Sequence, residues 1–460
     1  MLNVLSQYAT TFYSNLLAKK QEAGSWQNLI LHGSIILTIT SGMSYVLGLT
    51  RDKILAYTFG ASSELDIYNA AFVLPDFLFA LLVSGALSAA FVPIFTGLDE
   101  KSRTKAMLYT NQILSFTLLF LAVFSVIFAI FLPEIAPRLV PGFTGEQLAE
   151  YVIVTRLMLL TPFFFTISNT FGNALLSTKD FLWYGLAPVV YNISIVLGAL
   201  LLVPVFGLPG LVVGTVIGAV FHMLVRGQAF WRYGFRPKLQ LLFSTEIKET
   251  ARLMLPKMLQ IGMWQVMLWW FIQLASQQSE GSVTRYNFAY NFQSVPVSLI
   301  GMAIALASFS TLSHLAAHQS YHKFTSIVKK ESIKILAVTT LAAVALAIVS
   351  EPLIGLLLGG GKFSPEAVVD TAALLKVYAF SVPLESLMHL LARAHYALKN
   401  TLRPSIIHIF AIICSMVASS VLLPHLGLFA LPVAFSLGFA IQSVLLGFSL
   451  WGLLKPHLSK

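Results

Sequence analysis

Twelve long apolar segments run through this chain, and the basic residues between them fall on alternate loops. About 20 apolar residues span the hydrocarbon core of a bilayer, where only helices or closed barrels satisfy their backbone polar groups. The segments are too long and too evenly apolar for barrel strands, which alternate in short runs. The expected fold is an all-α polytopic membrane protein of about twelve transmembrane helices. Their approximate spans are 28–50, 68–96, 106–132, 151–177, 183–206, 208–230, 253–277, 287–312, 334–358, 368–395, 404–423 and 427–453. Composition agrees, with 57% of the 460 residues hydrophobic and 10% charged. A soluble domain carries roughly 25% charged residues, so this chain cannot cover itself with a water-facing surface. The one cysteine, Cys414, lies in an apolar segment and excludes a disulfide framework within the chain.

The loops fix an orientation. Lys19 and Lys20, Lys101 to Lys105, Lys179, the stretch 226–257, Lys323 to Lys334, Arg393 to Arg403, Lys455 and Lys460 hold 22 of the 29 basic residues. All fall on the side of the termini, so the positive-inside rule places both termini in the cytoplasm. Residues 1–27 then form a cytoplasmic N-terminal segment, an interfacial amphipathic helix or a loose tail rather than a cleaved signal. The net charge of +10 follows from the same loops. Membrane lipids suffice as their partner, and no nucleic acid is expected, because the basic face that binds it is missing.

A faint repeat near 220 residues divides the chain. Ala174-Leu175 with Thr178 has its counterpart in Ala397-Leu398 with Thr401, and Pro204-x-x-Gly207 in Pro424-x-x-Gly427. Pro75 and Pro296 are offset by 221 residues (296 − 75). Six helices per half is an even number, so the lobes are parallel, with a binding site expected between them. The expected division is an N-terminal six-helix lobe at 28–230, a cytoplasmic linker at 231–252, a C-terminal lobe at 253–453 and a tail at 454–460.

Little in the chain carries covalent chemistry. Gly359-Gly-Gly-Lys362 resembles the end of a phosphate-binding loop but is followed by Phe363 instead of Ser or Thr. His314, His318 and His322 could stack on one helical face, although without Cys or carboxylate beside them a wet helix end is favoured over a metal site. No hydrolase motif occurs. The reading is a non-enzyme with no cofactor and no metal. Ionisable residues inside spans weigh more, since lipid excludes them unless they face a cavity. Asp76 follows Pro75, Glu385 stands two residues beyond Pro383, and Lys376 precedes them in the tenth span. All three are read as facing a polar interior, with Asp76 and Glu385 candidates for ion or proton coupling. Lys376 and Glu385, nine residues apart, point to opposite helix faces. Prolines inside spans permit kinks, and Gly210-xxx-Gly214-xxx-Gly218 suits close helix packing.

The segment 44–95, SYVLGLTRDKILAYTFGASSELDIYNAAFVLPDFLFALLVSGALSAAFVPIF, closely resembles the signature of the MurJ (MviN) family of lipid II flippases, within the multidrug/oligosaccharidyl-lipid/polysaccharide exporter superfamily. The likeness rests on V-L-G-x-x-R-D at 46–52, Phe59-Gly60, Asp66, L-P at 74–75, Gly85-Ala86 and A-F-V-P-I at 90–94. Segments 173–198, 281–313 and 392–405 also match. The resemblance implies a lipid II-like, undecaprenyl-diphosphate-linked glycan substrate carried between leaflets of a bacterial cytoplasmic (inner) membrane by alternating access. It also implies a cationic cavity, possible partnership with other cell-wall synthesis proteins, and Arg51, Asp52, Asp66, Asp76 and Asn291 as binding residues. Family arginines are replaced by Tyr45, Phe79, Ala80 and Asn291, an Asn by Asp76, an acid by Ser84, and a sodium-binding carboxylate of some members by Phe271. A diphosphate in a low-dielectric cavity calls for cations. Three readings follow: Lys53, Arg285 or Lys376 substitutes, the cargo is another lipid-linked oligosaccharide, or the chain is a non-transporting scaffold for cell-wall synthesis.

Overall fold

The structure, a computed structural model, describes residues 26–81, 91–177, 180–232 and 237–458. Residues 1–25, Ser84, Gly85 and Ala86 lie outside them. The helices in chain order are α1 (Trp26–Phe59), α2 (Ser63–Ala71), α3 (Val73–Phe79), α4 (Val92–Asp99), α5 (Arg103–Leu139) and α6 (Gly145–Met158). Next come α7 (Thr161–Ser177), α8 (Phe181–Leu197), α9 (Val203–Phe206), α10 (Leu208–Arg232), α11 (Thr245–Ser276) and α12 (Ser282–Pro296). The last six are α13 (Ala303–Ala317), α14 (Tyr321–Leu357), α15 (Pro365–Tyr378), α16 (Ser381–Ala397), α17 (Leu402–Leu426) and α18 (Ala430–Leu458). π-helical turns at Gly198–Leu202 and Val297–Met302 join α8 to α9 and α12 to α13.

Among the described residues these helices form an all-α polytopic membrane protein. Seven helical stretches pass as membrane-crossing by length and hydropathy alone, and the pair α15–α16, bent by 41°, makes an eighth. One of the seven, Leu402–His457, is two rods, since α17 and α18 pack on each other across Gly427. Outward faces are apolar: Phe120, Ile127 and Ile130 on α5 and Leu341 and Ile348 on α14 are all more than two-fifths exposed. Water would not tolerate so continuous an apolar surface, whereas hydrocarbon does. Inside, Thr110, Ser115, Thr166 and Thr170 are buried and donate to carbonyls one turn back, which satisfies their hydroxyls without a partner helix.

The repeat is visible in the helix bounds. Helix α6 begins at Gly145 and α15 at Pro365, α7 at Thr161 and α16 at Ser381, and α7 and α16 end at Ser177 and Ala397. Gly207 and Gly427 both take positive φ, at 60° and 53°, where α9 and α17 stop. Packing divides likewise: α1 lies on α8 and α10 on α7 and α8, while α18 lies on α16 and α17, and α12 on α15. Between the two groups α2 meets α12, and α3 and α5 meet α11. Cβ atoms built on Gly198 and Gly214 would collide with the facing glycine backbone, so α8 and α10 approach as closely as the glycine spacing suggests.

The turns at 59–63, 139–145, 276–282, 357–365 and 426–430 gather at one end, the distant end, where Gly60 lies against Lys362, Gly281 against Ala61, Gly142 against Ser276 and Gly427 against Gln278; the opposite end is the near end.

Candidate functional site

Arg51 and Asp52 sit three-quarters of the way along α1. The guanidinium donates from Nε and Nη2 to Asp52 Oδ1 at 3.0 and 2.8 Å, and from Nη1 to Asn192 Oδ1 of α8 at 3.1 Å. Asn192 is oriented in turn by donating to Pro188 O at 3.1 Å and Ser44 Oγ at 3.3 Å. Pro188 lacks the amide that would bond the Tyr184 carbonyl one turn back, and Arg226 Nη2 donates to that carbonyl at 3.3 Å instead. Tyr68 of α2, bonded to Thr215 Oγ1 at 2.8 Å, and Tyr191 of α8 complete the wall, with Asp76 within electrostatic reach of Tyr191. Asp76 is exposed on α3, which is flanked by α7 on one side and α11 of the other half on the other. Among the described residues the compartment therefore holds Arg51, already paired with its neighbour, and the carboxylate of Asp76.

Asp66 lies elsewhere. It is buried, 3% exposed, at the distant end, where Oδ2 accepts from Gly281 N at 2.8 Å. Its Oδ1 accepts from Thr284 N and Thr284 Oγ1, each at 2.7 Å. A carboxylate from one half thus caps the first turn of α12 in the other, where orphan amides and the helix dipole both favour an anion. Around it Ser63 N donates to Glu280 Oε1 at 2.9 Å, Asn69 Nδ2 to Thr284 Oγ1 at 3.3 Å and Lys362 N to Tyr57 O at 2.9 Å. Glycine makes the approach possible. Gly281 has φ 78°, and a Cβ there would run into the Ala61 carbonyl.

The two nearest substitute cations belong to this same seam. Lys53 Nζ donates to the carbonyls of Leu356 and Gly359, which end α14. Arg285 Nη1 pairs with Asp370 Oδ2 at 3.1 Å, and its Nη2 bonds Ser279 Oγ and Glu280 O. Lys376 is exposed on the stripe of α15 that also carries Val369 and leads to Phe380, opposite the face bearing Tyr378. None of the three joins Arg51.

In the C-terminal half Asn291 is exposed on α12, and Glu385 of α16 is half-buried, accepting from Gln293 Nε2 at 2.9 Å. Phe271 is fully buried, with its ring 6.2 Å from Tyr286 and 6.4 Å from Phe435. The structure thus gathers Arg51, Asp52 and Asp76 in one compartment, puts Asp66, Lys53 and Arg285 at the distant seam, and leaves Glu385 and Asn291 on the opposite half.

Several functional neighbours escaped sequence reasoning. Asn192 and Gln293 are ordinary polar residues until the fold sets them against Arg51 and Glu385. Arg226, counted from sequence with the loop cations, is 4% exposed inside α10. It bonds Asn169 Oδ1 at 2.6 Å and lies 4.4 Å over the Tyr184 ring. The adjacent buried His222, bonded to Ser168 Oγ at 2.8 Å, was the available signal, since the two share a helix face at i, i+4. The histidine triplet is not one helical face. Helix α13 ends at Ala317, His318 caps it with its ring stacked 4.2 Å from His314, and His322 starts α14 beyond a positive-φ Gln319.

A sequence profile described as lipid II flippase MurJ matches residues 55–457. The chain is 27% identical over 436 residues to a protein of Bdellovibrio bacteriovorus described as "Probable lipid II flippase MurJ", covering 93% of this chain and 82% of that one. It is 26% identical over 417 residues to the lipid II flippase MurJ of Burkholderia cenocepacia, with 88% and 80% covered. Among solved structures it is similar to a lipid II flippase MurJ in an inward closed conformation, with a TM-score of 0.79, 22% identity and 90% and 87% of the two chains covered. It also resembles an inward-facing multidrug resistance transporter of the MATE family, with a TM-score of 0.75, 14% identity and 93% and 99% covered.

Proposed function

The chain belongs to the lipid II flippase MurJ family, and from that membership we propose that it moves lipid II from the inner to the outer leaflet of a bacterial cytoplasmic membrane. It does so by alternating access, without covalent chemistry, as a multi-pass protein with both termini in the cytoplasm. The moving bodies are the lobes 28–230 and 253–453, joined by the linker 231–252, and the distant seam faces outward. One observation carries the reading: hydrogen bonds between the halves gather at the Asp66 seam, while Asp76 and Asn291 stay exposed between them. That is an arrangement closed on one side and loadable from the other.

Arg51 would meet the diphosphate with the N–H groups left over from Asp52 and Asn192. Opening the seam would free Lys53 from the carbonyls of Leu356 and Gly359 and bring it to the exit, while Arg285, whose acceptors all lie in its own lobe, stays paired. Membrane lipids surround the lobes, and other cell-wall synthesis proteins are candidate partners at the cytoplasmic loops. A second reading is favoured by Asp76 standing in the compartment with Arg51 already paired: the cargo is another undecaprenyl-diphosphate-linked oligosaccharide with a less demanding headgroup. Expression in a bacterium depleted of its own lipid II flippase decides between them. Growth with lipid II exposed on the outer leaflet supports the first reading. Failure at good membrane expression, with rescue of a different lipid-linked glycan, supports the second.

A further inference from the structure

Where α13 meets α14, at the near end of the C-terminal half, the two helices enclose a cavity of about 500 Å3 that the transport reading leaves unused. From α13, Ser310, Thr311 and His314 line it at spacings of three and four, and from α14 Lys323 and Ser326 stand three apart. Half-buried Leu315 and Ile327 supply its apolar lining. The walls are held in register. The His314 ring stacks on His318 at 4.2 Å, and His318 Nδ1 lies 2.9 Å from the His314 carbonyl. Ser320 N donates to Leu315 O at 2.9 Å, closing the end of α13 onto the start of α14.

The lining carries one sign of charge. Among the described residues Lys323 forms no ion pair and no carboxylate lines the cavity. Glu331, the first acid along α14, lies 3.6 Å from Lys334 instead. Lys323 also stands in the first turn of α14, where the helix dipole disfavours a cation and favours an anion. The hydroxyls are unspent as well. Neighbouring hydroxyls donate to the carbonyl one turn back, Ser308 to Ile304 O at 2.8 Å and Thr325 to Tyr321 O at 2.9 Å. Ser310, Thr311 and Ser326 make no such bond among the described residues. An ammonium, an imidazole and three hydroxyls, with no carboxylate among them, offer the charge and the several donors that a phosphate group takes. Cavities of this size hold organic molecules rather than bare ions.

Depth decides between a lipid and a soluble ligand. The apolar run of α14 begins after Lys334. Lys323 stands eleven residues before it (334 − 323), about 16 Å along the helix. The headgroup layer outside the hydrocarbon is roughly 5–8 Å thick on each side, so the cavity opens into water. We propose that it binds a small soluble phosphorylated molecule, with Lys323 and His314 on the phosphate and the three hydroxyls completing the donors. The site lies within one lobe, goes beyond the flippase reading and does not rest on it.

The test is equilibrium dialysis of radiolabelled inorganic phosphate against the purified full chain in detergent, at constant ionic strength and without divalent cations. Saturable binding of one phosphate per chain is expected, weakened at least about tenfold by Lys323→Gln, measurably by His314→Ala and not at all by Lys329→Gln. Glycerol 3-phosphate should displace the label at lower concentration than unlabelled phosphate does, and glycerol should not displace it. Melting temperatures report whether each variant folds; if Lys323→Gln does not, His314→Ala carries the test. Absence of saturable binding overturns the site. Equal weakening by Lys323→Gln and Lys329→Gln overturns it too, since that is the mark of diffuse surface charge. Vesicles of phosphatidylglycerol and of phosphatidylcholine separate the two sources of phosphate. Equal binding in both supports a soluble ligand, whereas competitive loss in phosphatidylglycerol alone identifies a lipid headgroup and overturns the assignment.

Discussion

Arg51 and Asp66 illustrate two uses of charge at the residue scale. Arg51 is held by Asp52 and Asn192, so its charge is oriented but largely spent. Arg51→Ala should reduce lipid II transport at least about tenfold at unchanged expression, measured by outer-leaflet lipid II. It should also lower stability by about 1–3 kcal/mol, because it strands a buried acceptor. Arg51→Ala combined with Asp52→Ala should be less destabilised than Arg51→Ala alone, since the stranded carboxylate is gone and only Asn192 Oδ1 loses its donor; equal or greater loss in a thermal melt would contradict this. Asp66→Asn keeps the shape but replaces one acceptor oxygen with a donor facing an amide. Its cost of about 1–3 kcal/mol falls on the closed seam, and modification of an introduced Ser282→Cys by an impermeant thiol reagent should rise about tenfold. That assay needs a Cys414→Ser background. Arg51, Asp52 and Asp66 were legible because a local motif carries them. Asn192 was not, because it lies 141 residues from the arginine it orients and nothing local marks it.

At the scale of elements, hydropathy located the rods but not their ends. The span expected at 334–358 is part of Tyr321–Leu357, so Lys323, Lys329, Lys330 and Lys334 stand on helix rather than in a loop. An apolar window measures the hydrocarbon thickness, while hydrogen bonding carries the helix on into water. The π-helical turns were equally invisible, since nothing in GALLL or VSLIGM differs from an ordinary membrane helix. The paired helix stops were legible, and for a stateable reason. Gly207 and Gly427 adopt φ near 60° with ψ of −142° and −138°, a region that side chains disfavour. Gly207→Ala and Gly427→Ala should each cost about 1–3 kcal/mol, read as lowered melting temperatures in detergent. Glycines with negative φ and open surroundings, such as Gly447, should tolerate alanine without loss.

For the whole molecule, the uneven distribution of contacts between halves matters more than any one site. At the near end no hydrogen bond joins the lobes among the described residues; there the linker itself lies on α5, where Lys238 N donates to Asn111 Oδ1, Gln240 N to Ser115 Oγ and Tyr109 pairs with Thr250. The distant end is held by the Asp66 seam. Cysteines at Tyr57 and Lys362, joined by a short thiol cross-linker, should fix the seam shut and abolish transport, with reductant restoring it; continued transport by the cross-linked chain would rule out opening there. The pairing of helix bounds 220 residues apart could be read from sequence. Which end is shut could not, because closure is a relation between surfaces hundreds of residues apart. The manner of that closure sets its kinetics. Three bonds converge on one carboxylate, and the helix end it caps has no second cap of its own. Releasing one bond strands the others in poor geometry, so they leave together. The seam therefore behaves as a latch that clicks between two positions, with half-open forms scarce. Dwell times in each position, not a graded drift, should set the pace of turnover.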